Sequence, residues 1–269
     1  MRVAGVGDAL VGNATKEAEM KYPYSILLPG RGYTCMLPLL LALCLLPLPA
    51  LGADLLGTTG DDDVTIQSGE TYDDVYLYDG NDTLDNKGTV GSSVYADDGN
   101  DTILNYGSVG GDVELGSGDN SLTNYGTIDG DVEADEGKDY FINQGTLSGD
   151  VYLADGDDTV YNYGYIVDNV HLGNGDNWVY NYGTIDYFLS GGNDVDIMYN
   201  FETMNYYMFG SDGDDYIYNY GDVYSYLNGG TGDDSIFNYG FVEEDIRAGS
   251  GSDYIVNYGT VQEEVDGDN

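Results

Sequence analysis

The feature that most constrains this chain is a 19-residue repeat that runs without interruption from residue 80 onward. Successive repeats begin at residues 80, 99, 118, 137, 156, 175, 194, 213, 232 and 251, and a repeat of 20 residues covers 60–79. Each unit is too short to bury a hydrophobic side by itself, so the copies must stack to make a core. The repeat therefore predicts a solenoid and argues against an ordinary globular enzyme.

Alternate positions of the repeat carry one type of residue. The third position is Asp or Asn, the fifth is apolar, and the seventh is Asn in every 19-residue repeat. Two more apolar positions follow, at Val90 and Val94 in the repeat that begins at Gly80. A spacing of two is the period of a β-strand, and Gly-rich and Asn-Tyr-Gly turn signals separate these positions. We predict an all-β fold, a right-handed parallel β-helix or β-solenoid (β-roll-like) of about eleven rungs with three inward apolar columns.

The Asn column is predicted to be structural, because Asn side chains stacked on their copies can hydrogen-bond along a rod. The Gly after each Asn-Tyr is expected to take a positive φ. The repeat that begins at Asp194 has Asn200-Phe201-Glu202 in place of Asn-Tyr-Gly, so we expect a local irregularity there. The predicted ladder residues are Asn105, Asn124, Asn162, Asn181, Asn219, Asn238 and Asn257.

The first 53 residues differ from the repeats. Residues 36–53 are almost wholly apolar, follow Lys21 and Arg31, and end in small residues, which is the layout of a signal peptide. A retained membrane anchor is the alternative, but the apolar run is short and contains prolines. We predict a protein that is secreted or held on a bacterial cell surface. Its predicted parts are a leader at 1–53 with a hydrophobic region at 36–53, a short segment at 54–59, and the solenoid at 60–269.

Charge excludes several partners. The chain has 49 acidic and 7 basic residues and a formal net charge of −42. Such a charge repels nucleic acid and anionic membranes and favours divalent cations or basic partners. We predict no nucleic-acid partner and no membrane insertion of the mature chain. Both cysteines, Cys35 and Cys44, lie in the leader, so disulfides cannot hold the mature chain together.

Two halves of the repeat resemble different bacterial families. The segment 229–236 reads Gly-Gly-Thr-Gly-Asp-Asp-Ser-Ile and resembles the repeats-in-toxin (haemolysin-type) nonapeptide. That resemblance implies a β-roll in which Asp side chains and turn carbonyls hold Ca²⁺, although each rung here has one such motif where the family has two. The segment 124–132 is similar to repeats in the passenger regions of autotransporters and haemagglutinin-like adhesins. This second resemblance implies an outer-membrane or secreted adhesive solenoid.

The third-position carboxylates are the first candidate site. Stacked carboxylates repel one another unless protons or a cation neutralise them, and Ca²⁺ prefers oxygen ligands. The alternative is that each Asp only hydrogen-bonds its own turn, and Asn120 and Asn177 occupy the same column. We predict calcium as a cofactor, with ligands among Asp62, Asp82, Asp101, Asp139, Asp158, Asp215, Asp234 and Asp253.

An aromatic stripe is the second candidate site, because its residues fall between two inward positions and should face outward. It could stack sugar rings or adhere to a host surface. The alternative is a structural ladder that shields strand edges. The stripe consists of Tyr161, Tyr180, Tyr199, Tyr218 and Phe237.

Catalysis finds little support in the sequence. Lys87, Lys138 and Arg247 occupy different repeat positions, and His171 is the sole histidine. No nucleophile motif, phosphate loop or Cys/His cluster is present. We predict no enzymatic activity. The competing hypothesis is a carbohydrate-active protein that binds or cleaves polysaccharide, which would need one of the three basic residues in an outward cluster.

The sequence as a whole favours a secreted or cell-surface structural or adhesive solenoid that calcium stabilises. Open terminal rungs expose backbone donors and acceptors, which suggests end-to-end self-association. Ice binding is a weaker alternative, because the column of Thr89 is interrupted by Tyr165, Asp222 and Phe241.

Overall fold

The structure is a computed structural model that describes residues 52–267. The predicted signal peptide lies almost entirely outside the described residues. Residues 52–267 form no helix, and so none with the length and hydrophobicity needed to cross a membrane. The described part of the chain is all β, as predicted.

Each rung contributes one strand to each of three parallel sheets. Residues 19 apart in the sequence pair in neighbouring rungs, as Asn124 pairs with Asn143. Identical repeat positions therefore stack into columns along the rod. This arrangement confirms the predicted parallel β-solenoid of about eleven rungs.

Sheet I has four-residue strands, which lie between the Asp turn and the Asn-Tyr-Gly turn of each rung. Inward and outward side chains alternate along these strands, as the two-residue period requires. Its 11 strands are Asp63–Ile66, Thr83–Asn86, Thr102–Asn105, Ser121–Asn124, Tyr140–Asn143, Thr159–Asn162, Trp178–Asn181, Ile197–Asn200, Tyr216–Asn219, Ser235–Asn238 and Tyr254–Asn257.

Sheet II follows the Asn-Tyr-Gly turn and has two-residue strands, because a turn begins shortly after each of them. Its 11 strands are Thr71–Tyr72, Thr89–Val90, Ser108–Val109, Thr127–Ile128, Thr146–Leu147, Tyr165–Ile166, Thr184–Ile185, Thr203–Met204, Asp222–Val223, Phe241–Val242 and Thr260–Val261.

Sheet III completes the rung, and its strands lengthen along the rod. They have two residues in the early rungs and five residues from Met208 to Ser250. Its 12 strands are Leu55–Leu56, Val75–Tyr76, Val94–Tyr95, Val113–Glu114, Val132–Glu133, Val151–Tyr152, Val170–Gly173, Leu189–Gly192, Met208–Asp212, Leu227–Thr231, Ile246–Ser250 and Val265–Asp266.

The core lies between the three sheets and has four inward columns, so the prediction of three was wrong. The additional column lies two residues after the third one and begins with Leu77, which is completely buried. The sequence does not predict this column, because its members vary between Leu, Ala and Gly, which breaks the apolar pattern. Its members are Leu77, Ala96, Leu115, Ala134, Leu153, Leu172, Gly191, Gly210, Gly229 and Ala248.

The rung that begins at Asp194 is regular, contrary to expectation. Its Ile197 pairs in register with Trp178 on one side and Tyr216 on the other. Backbone pairing between rungs thus tolerates the altered Phe201-Glu202 turn. The irregular rung is the first one, where four residues connect Ile66 to the next strand instead of two.

The Gly after Asn-Tyr does not take a positive φ, so that expectation was also wrong. Glycine is preferred there for a different reason. A Cβ on Gly107 would lie 2.0 Å from the carbonyl oxygen of Gly88 in the preceding rung. Close stacking of the turns, and not backbone conformation, therefore favours Gly at this position, although Glu202 occupies it in one rung.

Candidate metal column and aromatic face

The third-position side chains form a buried ladder between rungs. The backbone N–H of Asp82 donates to Oδ1 of Asp101 at 2.7 Å, and the N–H of Asp215 donates to Oδ1 of Asp234 at 2.9 Å. The same bond is made at every step from Asp62 to Asp253. The carboxylates therefore join successive rungs, which goes beyond the turn closure considered from the sequence.

The other carboxylate oxygen, Oδ2, is buried without a hydrogen-bond partner in most of this column. Burial raises the pKa of Asp158 to about 7 and the pKa of Asp215 to about 8. Burial likewise raises the pKa of Asp101 and of Asp139 to about 6. A bare negative charge is costly in such a place, so each carboxylate needs a proton or a cation. The unpartnered Oδ2 atoms belong to Asp82, Asp101, Asp139, Asp158, Asp215, Asp234 and Asp253.

The two Asn residues of the column reveal what surrounds Oδ2. Nδ2 of Asn120 donates to the carbonyl oxygens of Gly116 and Gly118 at 3.2 and 3.0 Å. Nδ2 of Asn177 donates to the carbonyl oxygen of Gly175 at 2.9 Å. In the rungs that carry Asp, Oδ2 takes the corresponding place beside hydrogen-bond acceptors. The surroundings thus favour a donor or a positive charge there.

Glycine brings a second oxygen close to the carboxylate in the distal rungs. A Cβ on Gly210 would lie 2.3 Å from Oδ2 of Asp215 and 2.3 Å from the carbonyl oxygen of Gly229. A Cβ on Gly229 would lie 2.4 Å from Oδ2 of Asp234 and 2.4 Å from the carbonyl oxygen of Ala248. A side chain at either Gly would collide with both oxygens. Paired carboxylate and carbonyl oxygens are ligands that Ca²⁺ accepts.

Two carboxylates of the column obtain a partner from the protein. Oδ2 of Asp62 accepts the N–H of Thr58 at 2.5 Å, and Oδ2 of Asp196 accepts the N–H of Gly192 at 2.8 Å. These carboxylates need a cation less than Asp215 does. Residues 52–267 contain no group of three or more His, Cys, Asp or Glu side chains placed to hold a metal. A cation at this column would therefore depend on backbone carbonyl oxygens as well.

The Asn ladder uses both ends of each amide. Nδ2 of Asn124 donates to Oδ1 of Asn143 at 2.9 Å and to the carbonyl oxygen of Thr146 at 3.1 Å. Its Oδ1 accepts the N–H of Gly126 at 3.2 Å. These bonds join neighbouring rungs and close the turn. The bond from one Asn to the next runs from Asn86 to Asn257 and includes Asn105, Asn162, Asn181, Asn219 and Asn238.

The aromatic stripe is a continuous stack on the outer side of sheet I. Ring centroids of Tyr161 and Tyr180 are 4.7 Å apart, and those of Tyr218 and Phe237 are 4.9 Å apart. A parallel stack two residues further along each rung was not predicted. It begins at Tyr163 and continues to Tyr258 with centroid separations of 4.6 to 5.5 Å. The Asn-Tyr-Gly motif, which supplies its tyrosines, was the signal that could have revealed it.

Within residues 52–267, Lys87, Lys138 and Arg247 lie in different rungs and form no cluster at either feature. Lys87 pairs with Asp85, and Arg247 pairs with Asp245 at 2.5 Å. His171 is half-buried and stacks on Tyr152 with a centroid separation of 4.7 Å. Burial lowers the pKa of His171. This geometry adds nothing to the hypothesis of polysaccharide cleavage.

Comparison with known proteins gives one informative match. No protein-family model and no curated protein matches the chain. The fold is similar to a solved structure described as a hyperactive, Ca²⁺-dependent, β-helical antifreeze protein from an Antarctic bacterium. The TM-score is 0.61 at 17% identity, over 80% of each chain. At this identity the likeness establishes the β-solenoid fold and nothing finer.

Proposed function

We propose that this chain is an exported structural solenoid that binds Ca²⁺ in its distal rungs and serves a bacterial surface as an adhesive module. The observation that carries the calcium assignment is the buried, unpartnered Oδ2 of Asp215 and of Asp234. Each lies beside a carbonyl oxygen of the next rung and above a Gly that leaves room for neither a methyl group nor a longer side chain.

The physical argument starts from neutralisation. A buried carboxylate that faces other oxygens is stable only when it is protonated or when a cation lies against it. At neutral pH the Asp215 carboxyl, whose pKa burial raises to about 8, holds a proton, so Ca²⁺ would bind there by displacing that proton. Extracellular calcium modules bind with dissociation constants of about 10⁻⁴–10⁻³ M, which the millimolar Ca²⁺ outside cells can satisfy. Asp215, Asp234 and the carbonyl groups of Gly229 and Ala248 would hold the ion. When bound, it would supply the positive charge that lets neighbouring rungs close.

In this proposal, calcium binding follows export of the chain. An acidic chain in a compartment with little calcium lacks the charge neutralisation that its distal rungs need, so folding would be completed after export. The signal-peptide layout of residues 36–53 and the resemblance to adhesin and toxin repeats support this order of events. The solved neighbour is itself described as Ca²⁺-dependent. The proposal assigns the chain no catalytic role.

The test compares two pairs of Asp→Asn substitutions by circular dichroism and thermal melting, in millimolar Ca²⁺ and in excess chelator. Ca²⁺ is expected to stabilise the wild type, and at one hundred times the dissociation constant each site adds about 2.7 kcal/mol. The double variant Asp215→Asn/Asp234→Asn should lose this response. Its matched control, Asp82→Asn/Asp158→Asn, should keep it.

Asn is already present in this column at Asn120 and Asn177, so both double variants should fold. A wild-type melting curve that is indifferent to chelator would show that protons neutralise the column, and the calcium assignment would be wrong. A control pair that loses the response as fully as the distal pair would place the ions elsewhere along the rod.

A further inference from the structure

The outer side of sheet I lacks charge over most of its length. We define the neutral face as the first and third residues of each sheet I strand from Thr102–Asn105 to Tyr254–Asn257, with the residue that follows each strand. None of these residues is charged, although 21% of the chain is Asp, Glu, Lys or Arg. Tyr, Trp and Phe fill most of the positions from Tyr140 onward. An uncharged face on so acidic a molecule requires a reason.

The boundary of the neutral face shows that charge is absent from this side alone. Its proximal end meets Asp85 and Lys87, whose charges neutralise one another in an ion pair. The outward positions of sheets II and III in the same rungs keep their acids, including Asp222 and Glu133. Stacking needs no neutrality there, so the repeat itself does not explain the neutral face.

The neutral face is also periodic. Its two aromatic stacks lie side by side, with ring centroids of Tyr161 and Tyr163 6.3 Å apart and those of Tyr199 and Phe201 5.9 Å apart. Stacked rings cover part of each other's faces, so they present mainly ring edges and hydroxyl groups to solvent. The stack from Tyr163 to Tyr258 remains accessible to solvent, since Tyr182 is 39% exposed and Tyr220 is 45% exposed. The result is a regular array of phenol groups, repeated at each rung.

Charge and area select among partners for this array. The net charge of −42 opposes nucleic acid, anionic lipid and a second copy of the chain. The neutral face is about 40 Å long and about 13 Å wide. Such an area, roughly 500 Å², is smaller than the ~800 Å² that each partner of a stable protein complex buries. A long, uncharged and periodic polymer meets no such repulsion and gains from contacts repeated along the rod.

We propose that the neutral face binds an uncharged polysaccharide whose chain runs along the rod. Successive sugar units would contact successive rungs, with sugar hydroxyls hydrogen-bonded to the phenol groups and sugar C–H groups against ring edges. Tyrosine suits this role, because it combines apolar area with a hydrogen-bonding group at low conformational cost. This inference specifies the partner of the proposed adhesive function and rests on that function only for its biological setting.

The experiment measures retention of the calcium-loaded full chain on insoluble cellulose and insoluble chitin, with an anionic pectate gel as the contrasting probe. We expect retention on a neutral polysaccharide and none on pectate. The variant Tyr182→Asp/Tyr220→Asp should reduce retention at least about a hundredfold, because it buries two charges against the ligand. The control Thr184→Asp/Thr203→Asp adds the same charge to sheet II and should bind as the wild type does.

A second variant separates binding from folding. Tyr182→Phe/Tyr220→Phe removes only the hydroxyl groups, and Phe201 already occupies the same stack. It should keep the wild-type dichroism spectrum and bind about tenfold more weakly. A folded rod that ignores both polysaccharides overturns the inference, and so does retention that survives Tyr182→Asp/Tyr220→Asp.

Two further outcomes would assign the neutral face to another partner and would also overturn the inference. One is a dimer by light scattering that the Asp variant dissociates. The other is thermal hysteresis of ice growth that the Asp variant abolishes while neither polysaccharide is retained. Repeating retention in chelator distinguishes the two proposals, since a rod that folds and binds without Ca²⁺ contradicts the calcium assignment alone.

Discussion

The proximal rungs, residues 80–174, and the distal rungs, residues 194–250, treat the same buried Asp column differently. In the proximal rungs the fourth inward column is filled by Leu or Ala, up to Leu172, which is completely buried. In the distal rungs Gly210 and Gly229 take its place, and a carbonyl oxygen approaches the carboxylate. Sheet III strands lengthen from two residues to five over the same change.

The same rung architecture therefore allows two kinds of surroundings for the Asp carboxylate. A Leu or Ala side chain next to the carboxylate leaves less room for a cation, so a proton is the group that neutralises the carboxylate there. Glycine next to the carboxylate creates an oxygen-lined gap that suits a cation. With calcium bound, the proximal rungs should therefore depend on pH and the distal rungs on calcium. Without calcium, Asp215, whose pKa burial raises to about 8, should depend on pH as well. Each of the following experiments tests that division.

Calcium removal should have the largest effect and should be local. In chelator, backbone amides of 194–250 are expected to lose up to about 5 kcal/mol of protection, the sum for two sites at one hundred times their dissociation constants. Amides of 80–174 should lose much less, because they gain no ligand. Hydrogen exchange with mass spectrometry measures both regions in one sample. A loss of protection spread evenly over the rod would contradict the difference proposed between the proximal and distal rungs.

A change of pH should have a smaller effect than calcium removal, and Asp158 in the proximal rungs is the carboxyl that shows this effect without a bound cation. The pKa of Asp158 is raised to about 7 by burial, well above its value in an unfolded chain. The folded state then holds a proton that the unfolded state releases. The stabilisation is complete below pH 4 and is lost as the pH rises through 7.

In chelator, raising the pH from 5 to 8 should cost about 3 kcal/mol at Asp158 alone. Asp158→Asn should remove that part of the dependence, which urea unfolding at the two pH values would reveal. Equal pH dependence in the variant and the wild type would mean that the Asp158 carboxyl is not the group that titrates.

Filling the distal gap should have the smallest effect on the free energy of unfolding. Gly210→Ala places a methyl group 2.3 Å from Oδ2 of Asp215, so the corner must shift at a cost of about 1–3 kcal/mol. The calcium response should weaken at the same time. Gly60→Ala is the matched control, because nothing lies within 4 Å of a Cβ there. Urea unfolding with and without Ca²⁺ gives both quantities, and equal behaviour of the two variants would contradict the argument.

The sequence predicts the rung, its period and its stacking because those depend on column identity, which a strict repeat makes visible. The Asn column shows this best, since Asn124 can be satisfied only by copies of itself and by the turn. The fourth inward column was missed, because Leu153 and Gly210 do not read as equivalent residues. Their equivalence becomes visible only when the rungs are superimposed in three dimensions.

The candidate site was predictable in residue type and not in geometry. The repeat predicts Asp215 as a candidate oxygen ligand, but the inter-rung bond that occupies one of its oxygens could not be read from spacing. Nor does spacing show which carboxylates already have an amide partner, as Asp196 does. The sequence also contains the neutral face, as three repeat positions without charge. Those positions form one surface only when the rungs are stacked in three dimensions.

The unbroken 19-residue register has a consequence for how such a molecule can vary over generations. A duplication or deletion of one whole repeat leaves every remaining residue above the same position of the next repeat, so the register between rungs is kept. The length of the rod can then change between generations in steps of about 4.8 Å, one rung at a time. A lineage could tune the reach of this rod by recombination between its own repeats, without a single substitution.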